Sequence, residues 1–251
     1  MLQHPTLDKL RDMRLFGMLA AIEDQMASSE VLSLSFDERF ALLVDREKID
    51  RENRRLTSRL KKAKLRLSAC VEDIDYKHRR GLDRSLVLSL TSCQWIHSHD
   101  NLIITGPTGT GKTYLACAFG QKACREGFRT LYLRMPRFFQ DLSVAKGDGR
   151  YPKLLTSLAK TDLLILDDWG TDTLSHDQRH ALFEIIEDRY DRRSTLVATQ
   201  FPVDTWHDLI GDPTLADAIL DRLVHNAHKI TLKGGSMRRN RTPSIATDAS
   251  T

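Results

Sequence analysis

Apolar residues recur every three or four positions from the start of the chain to about residue 68. Leu7, Leu10, Leu15, Met18, Leu19, Ile22 and Met26 keep this interval, the period of a helix with one apolar face. Ser35-Phe36-Asp37-Glu38 supplies an N-cap ahead of Phe40, Leu43 and Val44,. Leu56, Leu60, Leu65 and Leu67 carry the stripe onward through a strongly basic stretch. No strand-like run interrupts the region. The pattern predicts a small all-helical domain over residues 1–68, with the apolar stripes as its core.

After residue 69 the pattern changes. Val71–Asp75 reads as a connector, and Leu86, Leu88, Leu90 and Trp95 as a helix packed near the first strand. Short apolar runs then alternate with helical stretches. Leu102–Thr105, Thr130–Leu133, Leu163–Leu166, Thr195–Thr199 and Lys229–Leu232 read as strands. Tyr114–Arg125, Phe138–Ala145, Ser175–Tyr190 and Leu215–Val224 read as helices. Gly127 stops the first of these helices, Lys146–Gly149 breaks the second, and Asp212-Pro213 opens the last,. Strand–helix alternation predicts an α/β domain over residues 69–240, a parallel sheet flanked by helices. The Thr-, Ser- and Ala-rich tail, residues 241–251, is expected to be disordered,.

Composition adds limits. Of 251 residues, 41% are hydrophobic and 29% charged, the balance of a water-soluble domain with a real core. No apolar run approaches the roughly 18–20 residues that cross a bilayer. The opening Met1-Leu2-Gln3-His4-Pro5 lacks a signal peptide's basic start,. Cys70, Cys93, Cys117 and Cys124 show neither zinc-ligand nor disulfide spacing,. A cytoplasmic, membrane-free protein is expected. The net charge is +4, but it is unevenly placed. Arg51, Arg54, Arg55, Arg59, Lys61, Lys62, Lys64 and Arg66 face one acid, Glu52, and Lys233, Arg238, Arg239 and Arg241 form a second cluster. Such clusters suit a polyanion; a solvated helix face is the alternative for either one.

Chemistry concentrates in Gly106-Pro107-Thr108-Gly109-Thr110-Gly111-Lys112-Thr113, a phosphate-binding loop set between a strand and a helix. Its backbone N–H groups and the helix N-terminus attract phosphate oxygens. Lys112 is placed for the β- and γ-phosphates of ATP and Thr113 for Mg²⁺. Leu163-Leu164-Ile165-Leu166-Asp167-Asp168 is a buried strand that ends in two carboxylates. Asp167 is expected to hold the metal and Asp168 to polarise an attacking water. The strand ending in Thr199-Gln200 should lie between these two, with either residue holding that water. Arg222 borders the apolar side of its helix, as an arginine finger toward a neighbouring chain or as a partner in a local salt bridge. In Gly235-Ser236-Met237-Arg238-Arg239 an arginine is expected at the nucleotide or at a phosphate backbone. His176 and His180, and likewise His225 and His228, lack a third ligand and are not read as metal sites.

These motifs, with Trp169-Gly170, Gln200-Phe201-Pro202, Asp221-Arg222-Leu223 and Glu72-Asp73-Ile74-Asp75, resemble in residue and order the IstB-like AAA+ ATPases that assist transposases of insertion sequences. The resemblance runs to about Arg239 and implies a P-loop AAA+ core behind the helical N-terminal domain. It implies self-assembly into a homo-oligomer on duplex DNA, driven by Mg²⁺ and ATP, and recruitment of the transposase of the same element. It gives Lys112 to phosphate, Thr113 and Asp167 to Mg²⁺, Asp168 to the water, Gln200 to sensing and Arg222 to the neighbour's nucleotide; Arg238 is expected at the nucleotide of its own chain from its place in the Gly235–Arg239 stretch alone. Asp168 stands where most AAA+ proteins carry Glu, and Gln200 where relatives often carry Asn. An insertion near Phe138–Lys160 would offer Lys146, Arg150 and Lys153 to DNA, beside Arg51, Arg54, Arg55 and Arg59. A replicative helicase loader has the same core and is the nearest rival. A small-molecule kinase and a non-catalytic ATP-gated clamp are the others.

Overall fold

A computed structural model describes residues 5–28 and 30–237. Arg238 and the tail over 241–251 lie outside the described residues. The chain forms two compact units, Met1–Ser58 and Arg59–Thr251.

The first unit is helical. It contains α1 (Pro5–Asp12), α2 (Phe16–Ala27) and the start of α3 (Phe36–Ala63). The expected cap on α3 is present: the Glu38 amide donates to Ser35 Oγ at 3.3 Å, and the Ser35 amide donates to Glu38 Oε2 at 2.8 Å,. Glu47 is buried and takes the Gly17 amide at 2.8 Å and the Met18 amide at 3.2 Å, satisfying the first turn of α2,. Leu10, Leu19 and Ala21 are buried. Leu7, Leu15, Met18, Ile22 and Leu43 are half-buried, and part of the predicted core is open. Met26, Phe36, Phe40 and Val44 are exposed, with Phe36 and Phe40 stacked on each other at 5.9 Å. The reason is length. The 28 residues of α3 extend ~42 Å,, whereas α1 and α2 have 8 and 12 residues and cover only part of it.

The second unit opens with α4 (Arg84–Leu90) and α5 (Gln94–His97), after which strands and helices alternate. They are β1 (Asn101–Thr105), α6 (Lys112–Arg125), β2 (Thr130–Arg134), α7 (Met135–Gly147), α8 (Tyr151–Ala159), β3 (Leu163–Trp169), α9 (His176–Arg189), β4 (Ser194–Thr199), α10 (Trp206–Ile210), α11 (Pro213–Val224) and β5 (Ala227–Thr231). All the strand pairs are parallel, in the order β2-β3-β4-β1-β5. As the sequence led us to expect, β4 lies between β1 and β3.

Both faces of the sheet are buried, which is why its central strands are continuous apolar runs. Leu102, Ile104, Ile165 and Leu196 face a core shared with Val87, Trp95, Leu115 and Phe119. Ile103, Leu164, Leu166 and Val197 face the opposite core with Phe138, Leu158, Ile185, Trp206 and Ile219. Each buried side chain of this size contributes ~2 kcal/mol. Two details depart from expectation. Val87 takes the buried place on α4, and Leu88 is exposed. The predicted break at Lys146–Gly149 is a turn between two helices, because Pro152 in the first turn of α8 starts a helix instead of ending one,. The caps at Asp212, on the Leu215 amide, and at Ser175, on the Gln178 amide, are as read. No helix among the described residues is long and apolar enough to cross a membrane.

Candidate functional site

The phosphate loop joins β1 to α6 at the carboxyl end of the sheet. Two glycines show why the loop needs them. Gly106 has φ +147°, and a Cβ there would meet the Leu232 carbonyl oxygen at 2.6 Å. Gly111 caps α6 at φ +97° and packs on the Arg80 guanidinium,. Lys112 Nζ donates back to the carbonyls of Gly106 at 2.7 Å and Pro107 at 2.9 Å. The ammonium is thus parked over the loop that phosphates would fill.

The carboxylates at the end of β3 differ. Asp167 is 1% exposed. Its Oδ2 accepts from Thr113 Oγ1 at 2.8 Å and from the Tyr132 hydroxyl at 2.6 Å, and its Oδ1 accepts the Asp168 amide at 3.0 Å. Burial and the adjacent carboxylate push the Tyr132 phenol well above its usual range, so it stays a donor,. Asp168 sits at φ +57° in a bulge between Asp167 and Trp169, which re-aims its side chain. There Oδ2 accepts from Arg134 Nε at 2.6 Å, with Arg66 at 3.8 Å. The carboxylate holds the Arg134 guanidinium above its ordinary value. As the structure stands, Asp168 Oδ2 is engaged by Arg134.

Gln200 Oε1 accepts from Thr108 Oγ1 at 2.9 Å, so the end of β4 touches the loop. Thr199 does not serve the site. It is buried, and its hydroxyl donates to the Trp169 carbonyl at 2.7 Å. Leu67, Asp73, Tyr114 and Met237 join the loop in lining a cleft of about 440 Å³, a size that takes a nucleotide. Arg80, 2% exposed, crosses behind it and donates to the Thr110 carbonyl at 2.8 Å and the Asp75 carbonyl at 3.2 Å. The Met237 amide closes the far side on the Gly109 carbonyl at 3.0 Å.

One carboxylate and one hydroxyl, 2.8 Å apart beneath the loop, suit Mg²⁺, which keeps waters and substrate phosphates as its other ligands,. Among the described residues no three His, Cys, Asp or Glu side chains gather into a metal cluster. Burial raises the Cys93 thiol to about 11, and Cys117 and Cys124 also rise, so these thiols are unreactive.

Arg222 is elsewhere. Its carbonyl accepts from Asn101 Nδ2 at 3.0 Å, at the start of β1. Its guanidinium pairs with Glu187, donates to the Ala218 carbonyl at 2.8 Å, and lies over the Phe183 and Tyr190 rings at 5.5 and 5.7 Å. The local salt bridge is therefore present, and Arg222 does not join the loop of its own chain. Of the residues expected at DNA, Arg51 pairs with Glu47 at 2.5 Å, Arg54 with Asp50 at 2.7 Å, Arg150 with Asp148 at 2.5 Å and Lys146 with Asp177 at 3.9 Å. Arg59 donates to the Cys124 carbonyl at 2.8 Å. Arg55 and Lys153 are exposed. Sequence reasoning gave no role to Tyr132, Arg134 or Arg80. Their signal is weak: a polar residue at a strand end, or one arginine within a basic loop.

Comparison with known proteins agrees with this geometry. The family described as IstB-like ATP-binding protein matches residues 8–244. An insertion-sequence ATP-binding protein of Sinorhizobium fredii is 54% identical over 96% of this chain and 98% of its own. The ATP-binding protein of insertion sequence IS21 from Pseudomonas aeruginosa is 32% identical over 92% and 86%. Among solved structures, the DnaC helicase loader matches at TM-score 0.56 and 23% identity, over 68% of this chain and all of that one. DnaI matches at 0.58 and 20%, over 66% and 91%. These last two show the fold.

Proposed function

The chain belongs to the IstB-like family of insertion-sequence ATP-binding proteins, and from that premise we propose that it hydrolyses ATP with Mg²⁺, assembles on duplex DNA and recruits or stimulates the transposase of its element. The observation that carries the reading is the 2.8 Å hydrogen bond between Thr113 and Asp167, directly below a phosphate loop whose lysine is turned back onto the loop's own carbonyls. In this reading Lys112 leaves the Gly106 and Pro107 carbonyls for the β- and γ-phosphates. Loop amides and the start of α6 hold the remaining phosphate charge. Thr113 and Asp167 would hold Mg²⁺, which would supply charge neutralisation for the phosphates,. Asp168 takes up the water once Arg134 releases its Oδ2. Gln200, already on Thr108, reads the presence of the γ-phosphate, and Arg238 adds a contact to the nucleotide.

Arg222 cannot reach that site from its own chain. It works in trans, exchanging Glu187 for the nucleotide of a neighbouring subunit, so ATP stabilises the assembled state over the free one. Arg55 and Lys153 are the readiest DNA contacts. The ion pairs of Lys146, of Arg150 and of Arg54 with Asp50 are weak in water and yield to a phosphate, whereas Arg51 would have to leave the buried Glu47.

The test is turnover of ATP with and without duplex DNA, together with capture of the element's transposase by the ATP-bound protein. DNA-stimulated turnover and transposase capture are expected. Capture of the replicative helicase instead would make the protein a loader. Unchanged function in Asp168→Asn would make it a non-catalytic clamp.

A further inference from the structure

Of the second basic cluster, Lys233 lies within the described residues and has basic neighbours from another segment. In β5 and the residues after it, Ile230 and Leu232 are buried while Lys229, Thr231 and Lys233 are exposed, the period of an edge strand with one face outward. The loop at residues 77–81 is laid against the end of this strand. The Lys233 amide donates to the Arg80 carbonyl at 2.7 Å. Lys233 side-chain carbons lie 3.6 Å from where a Cβ of Gly81 would be, and the Arg79 carbonyl lies 3.2 Å from that of Gly234. Lys77 and Arg79 are exposed in that loop. Two acids flank the loop: Asp75 Oδ1 takes the Lys77 and His78 amides at 2.8 and 3.4 Å, and Asp83 caps α4.

Edge-strand lysines also keep sheet edges from pairing with other chains. That role explains Lys229 but not the basic loop brought alongside, nor its connections. Arg80, next in sequence to Arg79, donates to the Thr110 carbonyl of the phosphate loop at 2.8 Å. The segment that leaves Lys233 reaches the same loop four residues later, where the Met237 amide meets the Gly109 carbonyl at 3.0 Å. Two short links therefore join this surface to the nucleotide site.

We infer that Lys77, Arg79 and Lys233 form a contact surface for the phosphate backbone of duplex DNA, coupled through Arg80 and residues 233–237 to ATP binding. The inference rests on the DNA-binding reading above and places a contact on residues outside both α3 and the α7–α8 insertion. Point charges on lysine and arginine neutralise phosphates and carry no sequence code. Because coupling between two ligands is reciprocal, DNA on this surface raises ATP affinity by the factor with which ATP raises DNA affinity.

The experiment measures binding of a fluorescein-labelled duplex to the full chain by anisotropy across a salt series, with a non-hydrolysable ATP analogue. It compares wild type with Lys77→Gln/Arg79→Gln/Lys233→Gln. The triple variant should bind DNA about ten-fold or more weakly, and its salt slope should fall by about 3, roughly 0.9 for each phosphate no longer neutralised. Its affinity for the analogue without DNA should be unchanged, which also certifies the fold, while the DNA-dependent gain in that affinity should vanish. Charge-preserving Lys233→Arg should behave as wild type. If wild type binds duplex and the triple variant matches its affinity and slope, the surface is a guarded edge and the inference is wrong. If wild type itself fails to bind duplex, the DNA-binding reading falls first.

Discussion

At the carboxyl end of the sheet Asp168 sits at φ +57°, Lys112 is folded back on carbonyls, and a cleft stands open above them. At the amino end Arg189 is 1% exposed and donates to the carbonyls of Leu158 and Thr161 at 2.6 and 2.8 Å and of Ser194 at 2.5 Å. Asn101 there takes the Thr195 amide at 2.9 Å and donates to the Arg222 and Leu223 carbonyls at 3.0 and 3.2 Å. One end keeps strain and charge available for a ligand; the other cross-bonds its polar groups. Chemistry within one chain belongs to the first end. A residue at the second end, such as Arg222, does not join the loop of its own chain.

Arg222→Ala breaks this contrast most severely. If Arg222 acts in trans, hydrolysis by the assembled protein falls on the order of 10³-fold while ATP binding by the isolated chain is retained. Wild-type turnover would reduce Arg222 to its bridge with Glu187. Asp168→Asn should lower turnover about 10²-fold and leave a long-lived DNA-bound assembly, visible as slowed dissociation after ATP is supplied. At the amino end, Arg189→Met strands the Leu158, Thr161 and Ser194 carbonyls. It should cost about 3 kcal/mol in urea unfolding, with turnover per folded molecule unchanged.

The smallest effect sharpens the comparison inside the site. Tyr132→Phe removes one donor from Asp167 Oδ2 and loosens that carboxylate. The Mg²⁺ concentration for half-maximal ATP binding should rise several-fold, while metal-free ATP binding stays constant. A change in both would mark Tyr132 as packing for the loop in general.

Legibility in the sequence followed the range of the interactions. Gly106–Thr113 and Leu163–Asp168 were readable because their chemistry is local: a glycine turn before a helix, a buried run ending in acids. The place of strand β4 between β1 and β3 was expected and is found. Tyr132 and Arg134 were silent because their partners are more than 30 residues away and are set by sheet register, and Arg80 because its contact with the phosphate loop at Thr110 is 30 residues on. The apolar stripe of α3 correctly announced a helix, but a stripe does not state what covers it, and Phe36 and Phe40 are exposed. Helix α8 was missed because Pro152 reads as a breaker until its place in a first turn is seen.

The central claim is that Thr113 and Asp167 hold a metal-bound triphosphate opposite Lys112. Calorimetric titration of ATP with and without Mg²⁺, into wild type, Lys112→Ala and Asp167→Asn, tests it most directly. The account predicts metal-strengthened binding in wild type, a loss of about ten-fold or more in Lys112→Ala, and loss of the metal dependence in Asp167→Asn. Equal affinity in all three proteins, with or without Mg²⁺, would contradict it.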